Sequence, residues 1–509
     1  MRHIRFLALI FTALVLLTAT RAGAQSRTFY ISYSSGSNSN PGTQSAPWRS
    51  HPYMSSGAAC TGTGSAPSYA HQAGDRFIFK GGDTWPGGCL PLTIKASGSA
   101  SAIDYYGVDK SWYSGASWSR PIFDAKYETV NNMINAYGIT YVTIDNIELA
   151  HQGITPNTSF STASCGIYFN NLAWGGWKVG TTVENVYIHD WAVTSNLNAN
   201  GATNFDNICV GGILSAALVN NVEISGANSY VYINGTKTFN PFGGGVAGVG
   251  ELKNSKIHDG WNGCTTSGSC HDDEFYNIQG GAVENYTGVH SQVIEDNEPC
   301  PATVGHSMAV YNNLVHDNTN VGVVFYLRYF SQVYNNVFWN NSQNAIQYCV
   351  PDTDSSSYVG YAFNNTFDEG GLTAMVPRSG APKALGTFYN ENNIVINGTL
   401  GGLPATAGAV SNNRLMSTAE ATTYGFTSGN LYAPTSSDPN TAANGANLTS
   451  VATGSLTPLS YDTEGAPWFG GTAQPRPTGS TAWTLGAYEF GGQSASRPNP
   501  PTGLVATVE

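Results

Sequence analysis

Charged residues are scarce in this chain, and basic residues are the scarcer kind. Only 11% of the 509 residues are charged, and 21 lysines and arginines stand against 33 acids, for a formal net charge of −12. Proteins that bind nucleic acid neutralise its phosphates with clustered basic side chains. The composition therefore excludes a nucleic-acid partner and indicates no broad basic groove for a polyanion.

Long apolar runs are absent after the N-terminus. Residues 7–17 are almost wholly apolar, follow Arg2 and Arg5, and precede the small residues 22–24, which is the pattern of a secretory signal peptide. That run is too short for a membrane-spanning helix, and no later segment approaches about 18 apolar residues. We expect an exported mature protein, extracellular, periplasmic or at the cell surface, that is monomeric and has no transmembrane segment.

The Cys-x-x-Cys spacing of structural zinc sites is also missing, although the chain has eight cysteines. An even number of cysteines in an exported protein indicates disulfides. Cys264 and Cys270 are close enough to staple one loop. Eight cysteines allow about 105 full pairings, so the other pairs are guesses: Cys60–Cys89, Cys165–Cys209 and Cys300–Cys349.

The apolar spacing of amphipathic helices is absent after the signal peptide. Instead, one short phrase recurs nine times around an asparagine, at steps of 39, 36, 33, 31, 27, 23, 29 and 28 residues. Apolar and polar residues alternate within each phrase, as in a strand with one buried face. The phrases centre on Asn146, Asn185, Asn221, Asn254, Asn285, Asn312, Asn335, Asn364 and Asn392.

Further strand-like runs lie between the phrases, so each period holds two or three short strands. This arrangement suits one rung of a right-handed parallel β-helix, whereas a four-stranded propeller blade needs about 40 residues or more. One asparagine per rung, stacked at about 4.8 Å, can pass amide hydrogen bonds between coils and tolerates a left-handed turn. We predict an all-β fold, a right-handed parallel β-helix with N- and C-terminal caps, in which these asparagines are structural.

Both ends of the chain resemble secreted β-helix proteins of the pectate-lyase-like superfamily. Residues 29–50 (FYISYSSGSNSNPGTQSAPWRS) are similar to the opening that many members share. Residues 476–490 (RPTGSTAWTLGAYEF) resemble their closing DIGAYE segment, with Thr484 in place of the usual aspartate. The resemblance spans residues 28–490 and implies the fold, but no single reaction, because this fold carries lyases, hydrolases, epimerases, adhesins and tailspikes.

The repeat pattern divides the chain into five parts. They are a signal peptide (1–24), an N-terminal cap with the first rungs (25–140), the regular β-helix (141–397), the closing rungs with a C-terminal cap (398–490), and a Pro/Ser-rich tail (491–509).

Acids and histidines crowd into residues 251–330, which hold five of the ten histidines and ten of the 33 acids. An irregular insert at 260–278 contains Cys264 and Cys270 immediately before His271-Asp272-Asp273-Glu274. A stapled loop holds such side chains rigidly, as a catalytic or metal site requires. Further candidates are Glu295, His306 and Arg328.

One interpretation of this cluster is a glycoside hydrolase, in which two carboxylates flank the scissile bond. Asp272 and Asp273 are adjacent, so they act together only at a turn, or with a partner from a neighbouring rung such as Glu295. The order Asp272-Asp273, then Gly305-His306, then Arg328 resembles the polygalacturonase family. The Asn-Thr-Asp and Arg-x-Lys elements of that family are missing.

A second interpretation is a polysaccharide lyase. Lyases of this fold use lysine or arginine as the base, often with Ca²⁺ held by carboxylates. Arg328 is the candidate base or carboxylate partner, and Asp272, Asp273 and Glu274 are the candidate Ca²⁺ ligands. The structural alternative for Arg328 is a side chain at a strand edge or paired with an acid one rung away.

Three His-Asp pairs, 189–190, 258–259 and 316–317, occupy the same place in their repeats. Recurrence at one register favours a turn or stacking role over a site. His271 and His306 lie outside that register and are therefore better candidates for proton transfer or substrate orientation. Aromatic residues of the coil are candidate sugar-stacking platforms, although we expect some of them to belong to the core: Trp191, Trp261, Tyr326 and Trp339.

The prediction is an exported protein that cleaves an extracellular polysaccharide, by hydrolysis or elimination, in a groove along one sheet. The alternative is a non-catalytic polysaccharide-binding or adhesion protein, because the chain has no complete catalytic signature.

Overall fold

The fold is described from a computed structural model of the chain. The structure describes residues 26–154, 164–170, 176–197, 211–239, 245–260, 275–277, 281–284, 286–289, 294–296, 308–318, 322–326, 330–349, 359–377, 385–402 and 405–490.

Three long sheets, here named A, B and C, contain most of the described strands. Sheet A comprises β1 Thr28–Ile31, β2 Arg76–Phe79, β5 Asp104–Gly107, β8 Val142–Asp145, β12 Lys178–Glu184, β16 Ala216–Asn220, β21 Glu251–Lys253, β24 Gly281–Glu284, β27 Met308–Tyr311, β30 Phe330–Tyr334, β33 Val359–Phe363, β36 Leu385–Glu391, β39 Ala405–Ala407 and β40 Val410–Ser411. Sheet B comprises β3 Thr84–Pro86, β6 Ile122–Asp124, β9 Glu148–Ala150, β13 Tyr187–His189, β17 Glu223–Ser225, β22 Lys256–His258, β25 Thr287–Val289, β28 Leu314–His316, β31 Val337–Trp339, β34 Thr366–Asp368, β37 Ile394–Ile396 and β41 Arg414–Met416. Sheet C comprises β4 Leu92–Thr93, β7 Ile134–Asn135, β11 Ile167–Tyr168, β15 Ile213–Leu214, β20 Val246–Ala247, β23 Phe275–Asn277, β26 Ile294–Asp296, β29 Val323–Tyr326, β32 Ile346–Cys349, β35 Thr373–Pro377 and β38 Thr399–Gly401.

A fourth, smaller sheet, named D, extends from the turns that follow sheet B. Its last two strands form an antiparallel hairpin through the exposed turn Asn234-Gly235, where both residues have positive φ. Asparagine followed by glycine is the preferred sequence for such a two-residue turn. Sheet D comprises β10 Gly153–Ile154, β14 Ala192–Leu197, β18 Tyr230–Ile233 and β19 Thr236–Phe239.

Helices are few and short in the described part of the chain. The α-helices are α1 Ala58–Thr61 and α2 Thr418–Tyr424, and 3₁₀ turns lie at Gly87–Cys89, Ser428–Asn430, Gly454–Ser460 and Thr463–Gly465. Helix α2 forms although the sequence after the signal peptide lacks the apolar spacing of amphipathic helices. A capping box explains this helix, because Ser417 accepts from the Glu420 N–H while Glu420 accepts from the Ser417 N–H. None of the described helices is long and apolar enough to cross a membrane.

Every described pairing within sheets A, B and C is parallel, and each strand pairs with strands one rung before and one rung after it. In sheet A, Val183 pairs with Ile144 on one side and Val219 on the other. The chain passes through A, B and C in turn and then returns to A, so the three sheets wind around one core. The predicted right-handed parallel β-helix is confirmed.

Alternate residues of each strand fill the interior of the coil. Val142, Ile144 and Val183 of sheet A are fully buried, as are Leu149 of sheet B and Ile167 of sheet C. These residues belong to one apolar cluster that runs from Ile31 to Val395. Burial of apolar surface stabilises a fold by about 25 cal/mol per Å², so this column is the main source of stability.

The recurring asparagines occupy the turn between sheets A and B. Asn146, Asn185 and Asn221 have φ between 52° and 56°, in the left-handed region that asparagine tolerates. Their amides are linked between rungs, since Asn221 Nδ2 donates to Asn185 Oδ1 at 2.6 Å. The predicted turn role is confirmed. The same conformation recurs at Asn254, Asn312, Asn335, Asn364, Asn392 and Asn412.

A second asparagine ladder, not predicted, begins one residue after the turn asparagines. From Asn313 to Asn393 each Nδ2 donates to the Oδ1 one rung ahead, at 2.9–3.1 Å. Every member, including the last, Asn413, also donates to a sheet A carbonyl oxygen one rung behind. Because these amides are buried or nearly so, the ladder satisfies backbone groups that water cannot reach. Its members are Asn313, Asn336, Asn365, Asn393 and Asn413.

The N-terminal cap is held by aromatic packing and a disulfide. Phe29 stacks on Trp48 with ring centroids 4.6 Å apart, and Trp85 is fully buried. The predicted Cys60–Cys89 bond is present. Cys165 is also disulfide-bonded. Cys264, Cys270, Cys209 and Cys300 lie outside the described residues.

Candidate functional site

The outer face of sheet A is covered over its last rungs by the C-terminal segment, residues 417–490. Tyr334 and Phe363 are fully buried in a cluster with Leu459 and Trp483 of that segment. Gln332 Nε2 also donates to Ser455 Oγ at 2.8 Å. The outer face of sheet A is therefore closed to a ligand at these rungs.

The outer face of sheet B is covered over the same rungs by the same segment. Trp339 and Ile394 pack in one cluster with Tyr432 and Trp468. The Tyr432 hydroxyl donates to Asp368 Oδ2 at 2.7 Å, and Trp468 Nε1 donates to the carbonyl oxygen of residue 312 at 2.9 Å. Apolar contacts and hydrogen bonds thus fix the segment to sheet B as well.

A buried arginine anchors the segment at the corner between the two sheets. Arg476 is 3% exposed, lies 3.1 Å from Glu489 Oε2, and donates through Nη2 to Asn335 Oδ1 at 2.9 Å. Thr484, which replaces the aspartate of the related closing motif, donates through Oγ1 to Glu489 Oε1 at 2.7 Å. The motif at 484–490 is therefore a structural latch, not part of a catalytic site.

The described contacts of the C-terminal segment do not cover the outer face of sheet C. One continuous register column joins Tyr168, Tyr276, Glu295 and Gln347 through hydrogen-bonded neighbouring strands. The adjacent column, which includes Ile167, is fully buried. Since side chains alternate between faces along a strand, the column through Glu295 is the outward one. Tyr168 and Gln347 of this column are partly exposed, whereas Leu214 and Ala247, which belong to the same column, are 2% and 0% exposed.

An aromatic pair marks the first rungs of this face. The ring of Tyr137, which is 59% exposed, stacks on Tyr168 with centroids 5.7 Å apart and an interplanar angle of 15°. Asn135 lies beside them in the same sheet, one rung before Tyr168. Flat aromatic surface next to amide groups suits a ligand that has both apolar and polar faces, such as a sugar.

Most of the predicted site residues lie outside the described residues: His271, Asp272, Asp273, Glu274, His306 and Arg328. Glu295 lies in β26, where the backbone is described. In sequence, residues 271–274 directly precede β23, residue 306 follows β26, and residue 328 follows β29 by two positions. Strands β23, β26 and β29 are adjacent in sheet C, whereas residue 306 comes two positions before β27 of sheet A. A common site for the predicted residues stays a prediction.

The metal prediction is likewise not tested. Among the described residues, no group of three or more histidine, cysteine, aspartate or glutamate side chains is arranged to hold a metal ion. The candidate Ca²⁺ ligands Asp272, Asp273 and Glu274 lie outside that part of the chain. Ca²⁺ binding there stays a prediction.

The recurring His-Asp pairs form a bonded network on the outer face of sheet B. His189 Nδ1 lies 2.9 Å from Asp190 Oδ2, and its Nε2 lies 3.2 Å from Glu148 Oε1 one rung earlier. Burial lowers the pKa of His189, but the hydrogen bonds to Asp190 and Glu148 and their charges outweigh it and raise that pKa to about 9. The imidazole is thus held protonated between two carboxylates at neutral pH.

The same arrangement recurs at the rung of His258. This histidine lies 2.6 Å from Asp259 and 3.1 Å from Glu223 of the preceding rung. Burial opposes charging of the ring, and the bonds to Asp259 and Glu223 still raise its pKa. Asp190 and Asp259 both have φ of 57°, so the predicted turn role of the pairs is confirmed.

The glutamate partners were not found from the sequence, because each lies more than 30 residues from its histidine. The sequence does contain a signal for these glutamates, however. Glu148 and Glu223 both occupy the first position of a sheet B strand, and the histidine that each contacts ends the strand one rung later.

Two of the aromatic residues expected to bind sugar are part of the core instead. Trp191 is 1% exposed, and Trp339 is 7% exposed beneath the C-terminal segment. That prediction is wrong for both, because the turn after sheet B folds inward at Trp191 and the segment covers Trp339. Trp261 lies outside the described residues, and only the backbone of Tyr326 is described.

No protein-family model matches the chain, and no curated protein matches it. Similar solved structures include pectate lyase Pel9A, with 15% identity, a TM-score of 0.38, and coverage of 92% of this chain and 97% of that one. A GH136 lacto-N-biosidase from Eubacterium ramulus has 12% identity, a TM-score of 0.37, and coverage of 82% and 71%. A rhamnogalacturonan lyase has 15% identity, a TM-score of 0.36, and coverage of 76% and 87%. The assignment of the fold rests on the strand pairing described above, not on these scores.

Proposed function

We propose that this chain is an exported, monomeric carbohydrate-active protein that cleaves an extracellular polysaccharide along the outer face of sheet C. The observation that carries the proposal is the coverage of the coil. The C-terminal segment closes sheets A and B over the last rungs, whereas sheet C keeps partly exposed positions, Tyr168 and Gln347, in the register column of Glu295. A groove along a sheet suits an extended polymer better than a compact ligand.

In this proposal Asp272, Asp273 and Glu295 are the acid–base groups or the Ca²⁺ ligands. His271 and His306 transfer protons or orient the substrate, and Arg328 binds a substrate carboxylate or acts as the lyase base. The aromatic pair of Tyr137 and Tyr168 stacks on a sugar ring away from the bond that is cleaved. The disulfide between Cys60 and Cys89 supports an oxidising, extracytoplasmic location.

The test is a screen of the purified protein on neutral and uronate-containing polysaccharides. New ultraviolet absorbance from a conjugated C=C bond that EDTA abolishes indicates a Ca²⁺-dependent lyase. New reducing ends without that absorbance indicate a hydrolase. Retention on a polymer without any product indicates a binding protein and contradicts the catalytic proposal.

Two variants locate the activity. Glu295→Gln is expected to lower kcat by about 10²- to 10⁴-fold, the usual contribution of a general acid or base. Glu251→Gln is the matched control, because Glu251 lies on sheet A in a partly exposed pair with Lys253. Equal activity of both variants and the wild type would place the chemistry elsewhere.

A further inference from the structure

A row of aromatic rings crosses the outer surface where sheet B meets sheet D, on a different face from sheet C. Tyr187 stacks on His189 with centroids 4.4 Å apart, and His189 lies 5.7 Å from His151. Tyr127 continues the row, 5.0 Å from both His151 and Tyr230. Tyr232, 5.7 Å from Tyr230, completes it. All six rings are partly exposed, and together they are called the ring row below.

The backbone at the centre of the ring row is strained. Lys126 and Tyr127 are consecutive residues with φ of 50° and 62°, and His151 has φ of 53°. Left-handed backbone costs a bulky L-residue about 1–2 kcal/mol, and such strain clusters at functional sites. Hydrogen bonds hold the conformation, because the Lys126 N–H donates to Asp124 Oδ1 and the Tyr127 N–H donates to the His151 carbonyl oxygen. The chain is thus forced into a shape that places the Tyr127 ring between its two neighbours.

Polar groups flank the ring row along its length. Asp124 Oδ1 lies 2.9 Å from His151 Nδ1, and Glu148 and Asp190 both contact His189. The hairpin of sheet D adds one cation, because Lys237 Nζ lies 3.9 Å from the Tyr230 ring centroid. Each ring therefore has a carboxylate, an imidazole or an ammonium group nearby that can bond to a hydroxyl group.

We propose that the ring row is a second polysaccharide-binding surface, specific for a neutral glycan chain. The rings supply apolar faces for the C–H side of successive sugar rings, and the flanking groups supply hydrogen bonds to their hydroxyls. Consecutive rings lie 4.4–5.7 Å apart and all but one pair are inclined by 56–84°, so they offer a succession of faces and edges to a polymer of linked sugars. The carboxylates Asp124, Glu148 and Asp190 are offset by His189, Lys126 and Lys237, so this surface has no net positive charge to attract a polyanion such as a polyuronate, and the ligand is uncharged.

The ring row does not depend on the sheet C groove. The proposal shares with the proposed function only the class of ligand, an extracellular glycan. A polymer held on the ring row keeps substrate near the protein without contact with Glu295. The two sites can therefore fail separately. Glu295→Gln is expected to leave retention on polymer unchanged, and changes in the ring row are expected to leave cleavage of short oligosaccharides unchanged.

The first experiment is affinity electrophoresis of the full-length protein through gels that contain xylan, mannan, galactan or polygalacturonate. The variants are Tyr127→Asn, which removes a ring but tolerates the left-handed backbone, and Tyr230→Ala. The double variant is expected to bind the best neutral polymer about tenfold more weakly, from two lost ring contacts. Tyr461→Ala is the control, because Tyr461 is 51% exposed in the C-terminal segment, far along the chain from the ring row.

The second experiment needs no variant. Hydroxyl-radical footprinting of the wild type, with and without the polymer, is read by mass spectrometry of the peptides that contain Tyr127, Tyr230 and Tyr461. Protection of Tyr127 and Tyr230, with Tyr461 unprotected, supports the proposal. Any of three results overturns it: no neutral polymer retards the protein, polygalacturonate binds best, or the polymer leaves Tyr127 and Tyr230 unprotected.

Discussion

The two halves of the coil use one backbone geometry but stabilise it differently. In the first half, residues 122–258, the residue after each turn asparagine is mostly apolar, such as Val186 and Val222, and lies in the core. In the second half, residues 308–416, that residue is a ladder asparagine such as Asn336 or Asn365. The outer face of sheet B likewise changes from bonded histidines, of which His316 beside Asp317 is the last, to mostly apolar residues under the C-terminal segment.

This difference shows what the C-terminal segment does to the molecule. Where it covers the coil, the outer face of sheet B is mostly apolar, with Asp368 bonded to Tyr432, and the turns bond to the segment. Where it does not, the outer face keeps polar pairs and the ring row. In the first half, the outer face of sheet B can therefore meet a ligand. In the second half, among the described residues, only the outer face of sheet C can do so.

The largest expected effect comes from the anchor of the segment. Arg476→Met leaves Glu489 buried without its cation, and breaking a buried pair in this way costs about 3–5 kcal/mol. Lys253→Met in the first half removes one partner of a pair with 28% and 35% exposed side chains, and should cost about 1 kcal/mol or less. Denaturant unfolding of both variants measures the contrast. Equal losses would mean that the segment adds little to stability.

The next effect separates the two asparagine rows. Asn365→Val removes the acceptor of the Asn336 amide and the donor to the carbonyl oxygen of Val333, and should cost about 2–3 kcal/mol because both groups are buried. Asn221→Ala, at an exposed position of the turn row, loses one bond to Asn185 and should cost about 1 kcal/mol. Thermal unfolding compares them, and a larger loss at Asn221 would refute the distinction.

The stability of the two halves should also depend on pH in different ranges. In each half one titrating group should contribute on the order of 1–3 kcal/mol to the free energy of unfolding. Burial raises the pKa of Glu369 to about 7 from 4.5, so its contribution is present below pH 4.5 and lost as pH rises through 7. His189, with its pKa raised to about 9 from 6.5, contributes below pH 6.5 and loses that contribution as pH rises through 9. When the free energy of unfolding is measured against pH, Glu369→Gln should remove the slope between about pH 4.5 and 7, and His189→Gln should remove the slope between about pH 6.5 and 9. The loss of both slopes in one variant would show that the halves are coupled.

The smallest expected effect concerns the start of the C-terminal segment. Ser417→Ala removes the cap of α2, which should cost about 0.5–1 kcal/mol. Native-state hydrogen exchange should show faster opening in residues 417–424 and no change in residues 142–149. Uniform acceleration along the coil would contradict local unfolding of the segment.

Much of the fold follows from the spacing of asparagines, because a left-handed turn at each rung favours that residue. The buried ladder also had a signal, since Asn312-Asn313 and Asn335-Asn336 are doublets while Asn185 and Asn221 precede valine. The return of residues 417–490 over sheets A and B could not be predicted. Those residues lack the strand period, and their contacts join positions more than 100 residues apart.

Less of the candidate site could be predicted. The crowding of acids and histidines predicts a site, and that site stays a prediction, because its residues other than Glu295 lie outside the described part of the chain. The ring row was missed, because its members come from four rungs and share no register. Tyr127 in particular contacts Tyr230, which lies in the hairpin of sheet D.

The docked C-terminal segment also limits how the chain can change in length. Arg476, Thr484 and residue 446 of the segment bond to Asn335, Asn364 and Asn392 of the coil, respectively. A rung added or removed between Asn335 and Asn392 would shift these asparagines by about 4.8 Å relative to their partners in the segment. A rung added before residue 258 would lengthen the molecule and carry the segment along with its partners intact. Insertions and deletions of whole repeats should therefore be tolerated toward the N-terminal half and rejected in the other.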